Sequence, residues 1–255
     1  MVAAHSYVAG VRLHPVSTDE AIAAIDGFVR SGLPRQVVTV NLDFLRIAQR
    51  DQRFRKVLNS ADLAVADGMP LLWLSRLRGQ RIPERVAGVD LVAHLAGLAA
   101  ERGYTIFLLG AAEGIAAAAA RALVERYPAL RPPGCYAPPV GEWDAAQEDE
   151  IIERIAAVRP ELLFVALGAP RQDIWLRDNL ERLGVPVCIG VGGSLDILAG
   201  RKPRAPQWMQ QVGLEWAHRL RCEPRRLWRR YVVEDLPFFC RLAVRHAVST
   251  TEPAI

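Results

Sequence analysis

The sequence lacks the features that would place a protein across a membrane or in an oxidising compartment. No apolar run approaches the roughly 18 residues that cross a bilayer, and residues 1–10 lack the basic flank and apolar core of a secretion signal. The 4 cysteines are scattered without a Cys-x-x-Cys pair, so neither disulfides nor a zinc site are expected. These absences predict a cytoplasmic protein that is soluble or peripheral to a membrane.

Patterns that bind metals or cofactors are missing as well. There is no Asp-x-Asp pair, and the 5 histidines show no metal-ligand spacing. The glycines at 190–193 fail the dinucleotide-binding fingerprint, because Leu195 stands where the third glycine is required. We therefore predict that the protein uses neither a metal ion nor a cofactor.

Positive charge is concentrated at one end of the chain. Residues 201–246 hold 11 Lys/Arg against 4 Asp/Glu, a balance of +7, whereas residues 1–200 hold 21 basic and 23 acidic side chains, a balance of −2. Trp208, Trp216 and Trp228 lie among these arginines. This composition favours an anionic partner, namely a phospholipid surface, a diphosphate or, as the competing interpretation, nucleic acid. The alternative is a merely solvated basic helix.

Short apolar segments alternate with helix-like stretches over the first 200 residues. Strands are predicted at 37–40, 63–66, 105–109, 162–166 and 185–189, with 7–13 as a further strand. Helices are predicted near 18–31, 43–58, 69–78, 89–102, 112–126, 144–158 and 171–183. The alternation predicts an α/β fold with a largely parallel, Rossmann-like sheet and helices on both faces.

The character of the chain changes at about residue 200. Residues 201–206 form a basic, proline-containing hinge, and helices are predicted near 206–222 and 225–246. A segment of about 50 residues rarely sustains a core alone. We therefore predict an α/β domain over 1–200 and a basic helical appendage over 201–255.

The ends of the predicted strands carry the first candidate site residues. Ligands of parallel sheets collect outside the carboxyl ends of the strands. Asp67 follows strand 63–66 and is a candidate general base, although it would also serve as a helix N-cap. Thr39 and Asn41 lie at the end of the preceding strand and are candidates for holding sugar hydroxyls; alternatively they are a β-former and a helix cap.

Two further side chains lie at predicted helix starts. Arg85 precedes such a start, where a guanidinium and backbone N–H groups together suit a phosphate. The alternative is a surface ion pair with Glu84 or Asp90. Gln172 falls in the first turn of its helix, either within reach of a ligand or simply solvated.

Glycines at other strand ends are predicted to let a ligand or the backbone approach closely. These are Gly110, Gly192 and Gly193. Asp196 follows the last of them and is either a ribose or base ligand, or the cap of a turn. In the basic appendage, Arg219, Arg226 and Arg229 share one side if their helix is continuous, but Pro224 is expected to break it, so their convergence would depend on the fold.

Several of these segments together resemble one enzyme family. Over about residues 8–239 the chain resembles the WecG/TagA/CpsF family, glycosyltransferase family 26. The blocks that carry the resemblance are 39–41, 61–68, 85–90, 107–110, 168–172, 192–196, 204–206, 213–219 and 223–227. Their number and order make chance agreement very improbable.

The resemblance implies an activity and a location. It implies inverting, metal-independent transfer from a UDP-sugar to an undecaprenyl-diphosphate-linked sugar, at the inner face of the cytoplasmic membrane, in the synthesis of a surface polysaccharide. N-acetylmannosamine, its uronic acid and glucose are all left open as the donated sugar. The resemblance also allows a homo-oligomer away from the membrane.

The resemblance also implies roles for individual residues. Asp67 would be the base, and the donor pocket would contain Thr39, Asn41, Arg85 and Gln172. Arg219, Arg226 and Arg229 would close over the diphosphates at the membrane. The chain departs from the family pattern by having Arg171 and Asp173 around the glutamine, and Ala217-His218 within the usual Trp-Leu-Tyr-Arg.

Two other functions remain as alternatives at this point. A Rossmann-like dehydrogenase or epimerase would suit the predicted sheet, although the broken glycine fingerprint disfavours it. A non-catalytic module that binds membranes or nucleic acid would suit the basic appendage, but it leaves the polar residues at the strand ends unexplained.

Overall fold

The computed structural model describes residues 5–249. Within them the chain forms a six-stranded, wholly parallel sheet in the order β4-β3-β8-β7-β5-β6, and a separate antiparallel pair, β1-β2. The strands are β1 (Ser6–Val8), β2 (Val11–Leu13), β3 (Arg35–Val40), β4 (Leu63–Ala66), β5 (Ile106–Gly110), β6 (Gly134–Tyr136), β7 (Leu162–Ala166) and β8 (Val187–Gly190). The predicted α/β class is confirmed.

Helices follow nearly every strand. They are α1 (Thr18–Ser31), α2 (Leu42–Ala48), α3 (Gln52–Ser60), α4 (Met69–Leu77), α5 (Gly88–Arg102), α6 (Ile115–Arg126), α7 (Ala145–Val158), α8 (Arg171–Leu183), α9 (Ser194–Leu198), α10 (Gln207–Gln211), α11 (Glu215–Cys222), α12 (Pro224–Trp228) and α13 (Leu236–Ser249). A π-helical segment, Arg229–Asp235, joins α12 to α13.

Both faces of the sheet are buried, which is why its strands are continuously apolar rather than alternating. Successive residues of β3 show this: Val37 belongs to the core under α1, α5 and α6, whereas Val38 belongs to the core under α2, α3 and α4. The helices α7 and α8 cover the same second face beyond β8. Helices on both faces leave the carboxyl edge of the sheet as the open place for a ligand.

Local signals explain where several elements begin. Ser17 and Glu20 form a capping box at the start of α1. Asp62 lies at the entrance of β4, where it accepts hydrogen bonds from Arg35 Nη1 (2.6 Å) and the Gln36 amide (2.9 Å). Its position at the closed end of the strand agrees with a structural role.

Two predicted elements differ from the structure, and one strand of the structure was not predicted. The single strand at 7–13 is a hairpin, because Ala9 and Gly10 both adopt positive φ and reverse the chain. The helix at 43–58 is two helices, α2 and α3, since Asp51 leaves helical geometry and its side chain caps α3 by accepting from Phe54 N. Strand β6 was not predicted from the sequence; it is a short edge strand with little apolar character.

The predicted C-terminal helices are also interrupted. The helix at 206–222 is divided by Gly213 (φ +80) into α10 and α11. The expected break at Pro224 is confirmed, and the remainder is α12, the π-helical segment and α13 instead of one regular helix. Phe238 and Leu242 of α13 are buried in the core that α4 also lines. Among the described residues, no helix is long and apolar enough to span a membrane.

Candidate active site

Asp67 lies at the carboxyl edge of the sheet, directly after β4. Its amide donates to Val40 O (2.7 Å), which keeps it beside the end of β3. Its carboxylate Oδ2 accepts from the amide of Gly88, the first residue of α5, at 3.2 Å. A carboxylate at a helix N-terminus is favourably placed for the helix dipole. The side chain is therefore fixed at the edge and is not directed into the core.

A cavity of about 280 Å³ opens beside Asp67. Its polar lining comes from Asn41, Asp43, Asp67, Arg85, Glu215, Arg219, Arg230, Tyr231 and Asp235. Its apolar lining comes from Met69, Pro70, Trp73, Val232, Trp216, Leu236 and Phe239. The α/β part and the residues after 200 thus build one cavity together.

Glu215 links the two arginines nearest to Asp67. It is buried, pairs closely with Arg85, and accepts from Arg219 Nη2 at 2.8 Å. Burial alone would raise the pKa of Glu215, but the charge of Arg219 and the hydrogen bond from Arg85 outweigh it and hold the pKa below its ordinary value. The carboxylate therefore stays ionised and holds both guanidinium groups at the cavity.

The environment of Asp67 raises its pKa above the ordinary value of an aspartate. Burial is the main cause, and the charges of Arg219 and Arg85 and the Gly88 N–H group oppose it only in part. A carboxylate with a raised pKa is a stronger proton acceptor once it is ionised. The cavity thus combines a basic carboxylate with two cationic groups suited to phosphate.

Asn41 and Thr39 occupy different positions at the end of β3. Asn41 lines the cavity and also caps α2, since its side chain accepts from Phe44 N at 3.2 Å. Thr39 is buried, and its hydroxyl donates to Gly190 O at 3.0 Å. A Cβ placed on Gly88 would lie 3.6 Å from both Thr39 Oγ1 and Asp67 Oδ2. Thr39 therefore lies behind Asp67 instead of on the cavity surface.

Comparison with known proteins identifies the family of the chain. The model of the glycosyl transferase WecG/TagA/CpsF family matches residues 6–252. The chain belongs to this family. The predicted resemblance is confirmed, and the chain is a glycosyltransferase rather than a dehydrogenase or a non-catalytic module.

Proteins of similar sequence have names that specify a reaction. Each of the following is called N-acetylglucosaminyldiphosphoundecaprenol N-acetyl-β-D-mannosaminyltransferase. A Bacillus subtilis protein is 33% identical over 196 residues (76% of this chain and 73% of the relative). A Bacillus spizizenii protein is 30% identical over 217 residues (85% and 81%), and a Staphylococcus aureus protein is 30% identical over 203 residues (80% and 77%).

Gln172 of this glycosyltransferase is buried, not solvated. Its Oε1 accepts from the amides of Gly168 and Gly192, each at 3.1 Å, so the side chain ties the loop after β7 to the loop after β8. The neighbouring Asp173 is fully buried, and neither of its carboxyl oxygens has a hydrogen-bond partner in the described chain. Burial raises the pKa of Asp173 to about 7.

The remaining strand-end candidates do not line the cavity. Gly110 (φ +96) ends β5, where a Cβ would lie 2.7 Å from Ala166 O, so glycine is needed there for strand packing. Gly192 holds the Gln172 side chain, and Gly193 precedes α9. Asp196 lies within α9, 3.6 Å from Lys202 Nζ, on the way to the appendage.

The three appendage arginines are not brought together. Arg219 lines the Asp67 cavity. Arg226 is exposed and pairs with Glu223 (2.6 Å) outside it. Arg229 is exposed and lines a separate cleft of about 510 Å³, together with Arg46, Arg50, Arg241 and Arg245. The break at Pro224 and the π-helical segment explain why the helical spacing did not bring them to one side.

Sequence reasoning did not single out several residues of the site. Glu215 lies within a block that carried the family resemblance, but nothing indicated its pairing with Arg85. Arg230 lies 3.1 Å from Asp43 Oδ2, and this ion pair joins the π-helical segment to α2. Arg230 also lies 3.6 Å from Asp235 Oδ2 within the π-helical segment. Arg230 and Asp43 are almost 190 positions apart in sequence, as Arg46 and Asp235 also are, so no local pattern indicates that they pair.

Within residues 5–249 no cluster of His, Cys, Asp or Glu is placed to hold a metal ion.

Proposed function

We propose that this glycosyltransferase moves a sugar from a UDP-sugar onto an undecaprenyl-diphosphate-linked sugar, with inversion and without a metal ion. The names of the similar proteins support the acceptor and make N-acetylmannosamine the first sugar to test. The observation that carries the proposal is the placement of Asp67, Arg85 and Arg219 on the wall of one cavity.

The proposed chemistry is a single displacement at the anomeric carbon. Asp67 removes the proton from the acceptor hydroxyl, and that oxygen bonds to the anomeric carbon from the face opposite UDP. The bond between the anomeric carbon and the diphosphate oxygen breaks, and UDP leaves with the electron pair. One displacement inverts the anomeric configuration, and the raised pKa of Asp67 assists the proton transfer.

Arginines are proposed to stabilise the departing diphosphate. Positive groups fixed where charge develops lower a barrier without reorganising during the reaction. Glu215 holds Arg85 and Arg219 in the cavity before the ligand arrives. The absence of an Asp-x-Asp pair from the sequence supports neutralisation by these guanidinium groups, and turnover that persists in excess chelator is the expected result.

The acceptor's location suggests how the protein works at a membrane. The exposed Arg226 and Arg229 belong to a strongly basic segment, and basic residues near anionic headgroups attract a protein by about 1 kcal/mol each. We propose peripheral association with the inner face of the cytoplasmic membrane. Self-association away from the membrane stays a prediction.

The decisive test of the proposed function is Asp67→Asn. The variant keeps the size of the side chain but removes the base, so kcat should fall by about 10²–10⁴-fold. The affinity for UDP, measured by calorimetry, should stay within a few-fold of wild type. Asp178→Asn, at an exposed aspartate paired with Arg53, is the matched control and should keep full turnover. Near wild-type turnover by Asp67→Asn would remove this residue from the role of base.

A further inference from the structure

Two kinds of side chain line the cavity beside Asp67. Asp67, Arg85 and Arg219 are charged, and so are Arg230 and the carboxylates with which it pairs, Asp43 and Asp235. The apolar wall is the set of large apolar side chains from α4, α11, the π-helical segment and α13, namely Met69, Trp73, Trp216, Val232, Leu236 and Phe239. A sugar and its phosphates would use the charged side chains, so the apolar wall has no occupant in the proposed chemistry.

The apolar wall is exposed to the cavity. Leu236 is 52% exposed and Trp216 is 43% exposed, and both line the cavity. Single exposed apolar residues are ordinary, but a contiguous set that lines a cavity marks a place for an apolar ligand. The set combines α4 with three elements of the appendage, α11, the π-helical segment and α13, so no single helix pattern accounts for it.

The wall is held in a defined shape. Trp73 packs edge-on against Phe239 at 6.1 Å between ring centroids, and Trp216 packs in the same way against Tyr231 at 6.3 Å. The turn at Gly213 is close to α4, since a Cβ there would lie 2.9 Å from Met69 Cβ. Such packing favours a preformed subsite over a patch that closes on itself.

We propose that this wall binds the first isoprene units of the acceptor's polyprenyl chain. This inference rests on the proposed function and names a further part of the same site. A lipid-linked acceptor contains a sugar, a diphosphate and an aliphatic chain, and the lining of the cavity includes groups suited to each of them, namely Asp67, the arginines and the apolar wall. A chain held between α4 and α13 would fix the diphosphate, and with it the sugar hydroxyl, relative to Asp67.

Binding of farnesyl diphosphate and of inorganic diphosphate tests the subsite without requiring transfer. A buried methylene contributes roughly 0.8 kcal/mol, or about fourfold in affinity. Wild-type protein should therefore bind farnesyl diphosphate at least about 30-fold more tightly than inorganic diphosphate, as measured by calorimetry. Leu236→Ala and Trp216→Ala should each reduce that ratio by about fivefold or more.

The chain offers a matched control for each variant. Val244→Ala changes a 63% exposed residue of the same helix as Leu236, and Trp208→Ala changes a 59% exposed tryptophan of the same appendage as Trp216. Neither residue lines the cavity, so both controls should keep the wild-type ratio. All four positions are substantially exposed, so loss of folding is not expected to obscure the result.

Three outcomes would overturn the inference. The first is an unchanged ratio of farnesyl diphosphate to inorganic diphosphate affinity in both cavity variants, and the second is an equal loss of this ratio in the controls. The third is a loss of UDP affinity in the cavity variants with the ratio preserved, which would assign the wall to the nucleoside. A transfer assay with the acceptor sugar linked through diphosphate to a farnesyl chain separates this result from the proposed function. If binding depends on the farnesyl chain but no sugar is transferred, the proposed function is refuted and the apolar subsite is still supported.

Discussion

Asp173 shows how a single buried group affects the whole molecule. Its carboxyl group has no hydrogen-bond partner in the described chain and is fully buried between α8 and the end of β8. A Cβ on Gly190 would collide with both Asp173 and Gln172, so the strand leaves these two side chains only the space of a glycine. An ionised carboxylate in such a place is unfavourable, which is why its pKa rises to about 7.

This raised pKa makes folding stability depend on pH. Between the unfolded value of 3.8 and about 7, the folded state keeps a proton that the unfolded state has lost. The free energy of unfolding therefore falls as pH rises through this window, by up to about 1.4 kcal/mol per unit, and levels off above it. Asp173→Asn cannot ionise, so chemical denaturation at pH 5 and 7.5 should show a smaller loss in the variant, by roughly 2 kcal/mol or more. Asp178→Asn is the exposed control on α8, and parallel pH profiles for wild type and Asp173→Asn would contradict the prediction.

Individual side chains were predictable where a strand end decides their position. Asp67 and Asn41 follow strands whose carboxyl ends meet at one edge, and both line the cavity. Thr39 and Gln172 lie at the same edge but are buried, because they satisfy backbone groups of the neighbouring β8 and of the loops around it. Whether such a side chain points into the cavity or is buried depends on tertiary hydrogen bonds, and these cannot be predicted from the spacing of residues along the sequence.

At the scale of elements, Gly213 lies just before α11, where the chain comes close to α4. The residue combines a positive φ of +80 with close contact to Met69 and Trp73. Gly200 has a similar φ of +69, but a Cβ there would meet nothing within 4 Å. A side chain at Gly200 would cause only backbone strain, whereas one at Gly213 would cause backbone strain and a steric clash with α4, so comparing the two positions separates these effects.

We predict different effects for alanine at these two positions. Gly200→Ala should lower the free energy of unfolding by about 1–2 kcal/mol, the cost of a left-handed alanine. Gly213→Ala should pay that cost and a further 1–3 kcal/mol for overpacking against α4. It should also weaken binding of farnesyl diphosphate, whereas Gly200→Ala should not. Equal losses of stability in the two variants, measured by urea denaturation, would show that the contact with α4 is unimportant.

Regular elements were predicted well where packing is uniform along their length. The central strands are apolar on both faces because helices cover both, and this double burial is visible in the sequence. Errors arose where one or two residues change the backbone, at Ala9-Gly10, at Asp51 and at Gly213. Strand β6 is an edge strand whose own residues have little apolar character, and its extended conformation is stabilised by pairing with β5. It could therefore not be recognised from its local sequence.

At the scale of the whole molecule, the charged residues after 200 are divided between the Asp67 cavity and positions outside it. Glu215 and Arg219 line the cavity, as does the apolar Leu236. Arg226, which pairs with Glu223, and Arg229, which pairs with Glu234, are exposed and do not line the cavity. The division falls within the π-helical segment, since Arg229 and Arg230 are adjacent in sequence but line different clefts. The charge imbalance predicted an anionic partner for this segment, but only the fold divides its arginines between two surfaces.

This division predicts that the arginines respond differently to the form of the acceptor. Arg219→Ala removes a charge beside Asp67, so turnover should fall on the order of 10²-fold on any acceptor. The double variant Arg226→Ala/Arg229→Ala should act only at a membrane, where each charge contributes about 1 kcal/mol. With undecaprenyl-linked acceptor in anionic vesicles its turnover should fall roughly tenfold or more, and with a farnesyl-linked acceptor in solution it should stay near wild type.

Salt provides the internal control for that comparison. Exposed charges are screened within about 10 Å at 0.1 M salt and within about 3 Å at 1 M. Raising the salt concentration should therefore bring wild type down to the level of the double variant on vesicles, while the large deficit of Arg219→Ala persists. If the double variant loses the same factor in solution as on vesicles, Arg226 and Arg229 act on the diphosphate itself. The appendage would then have to rearrange from the arrangement seen here, so that its outer arginines reach the Asp67 cavity.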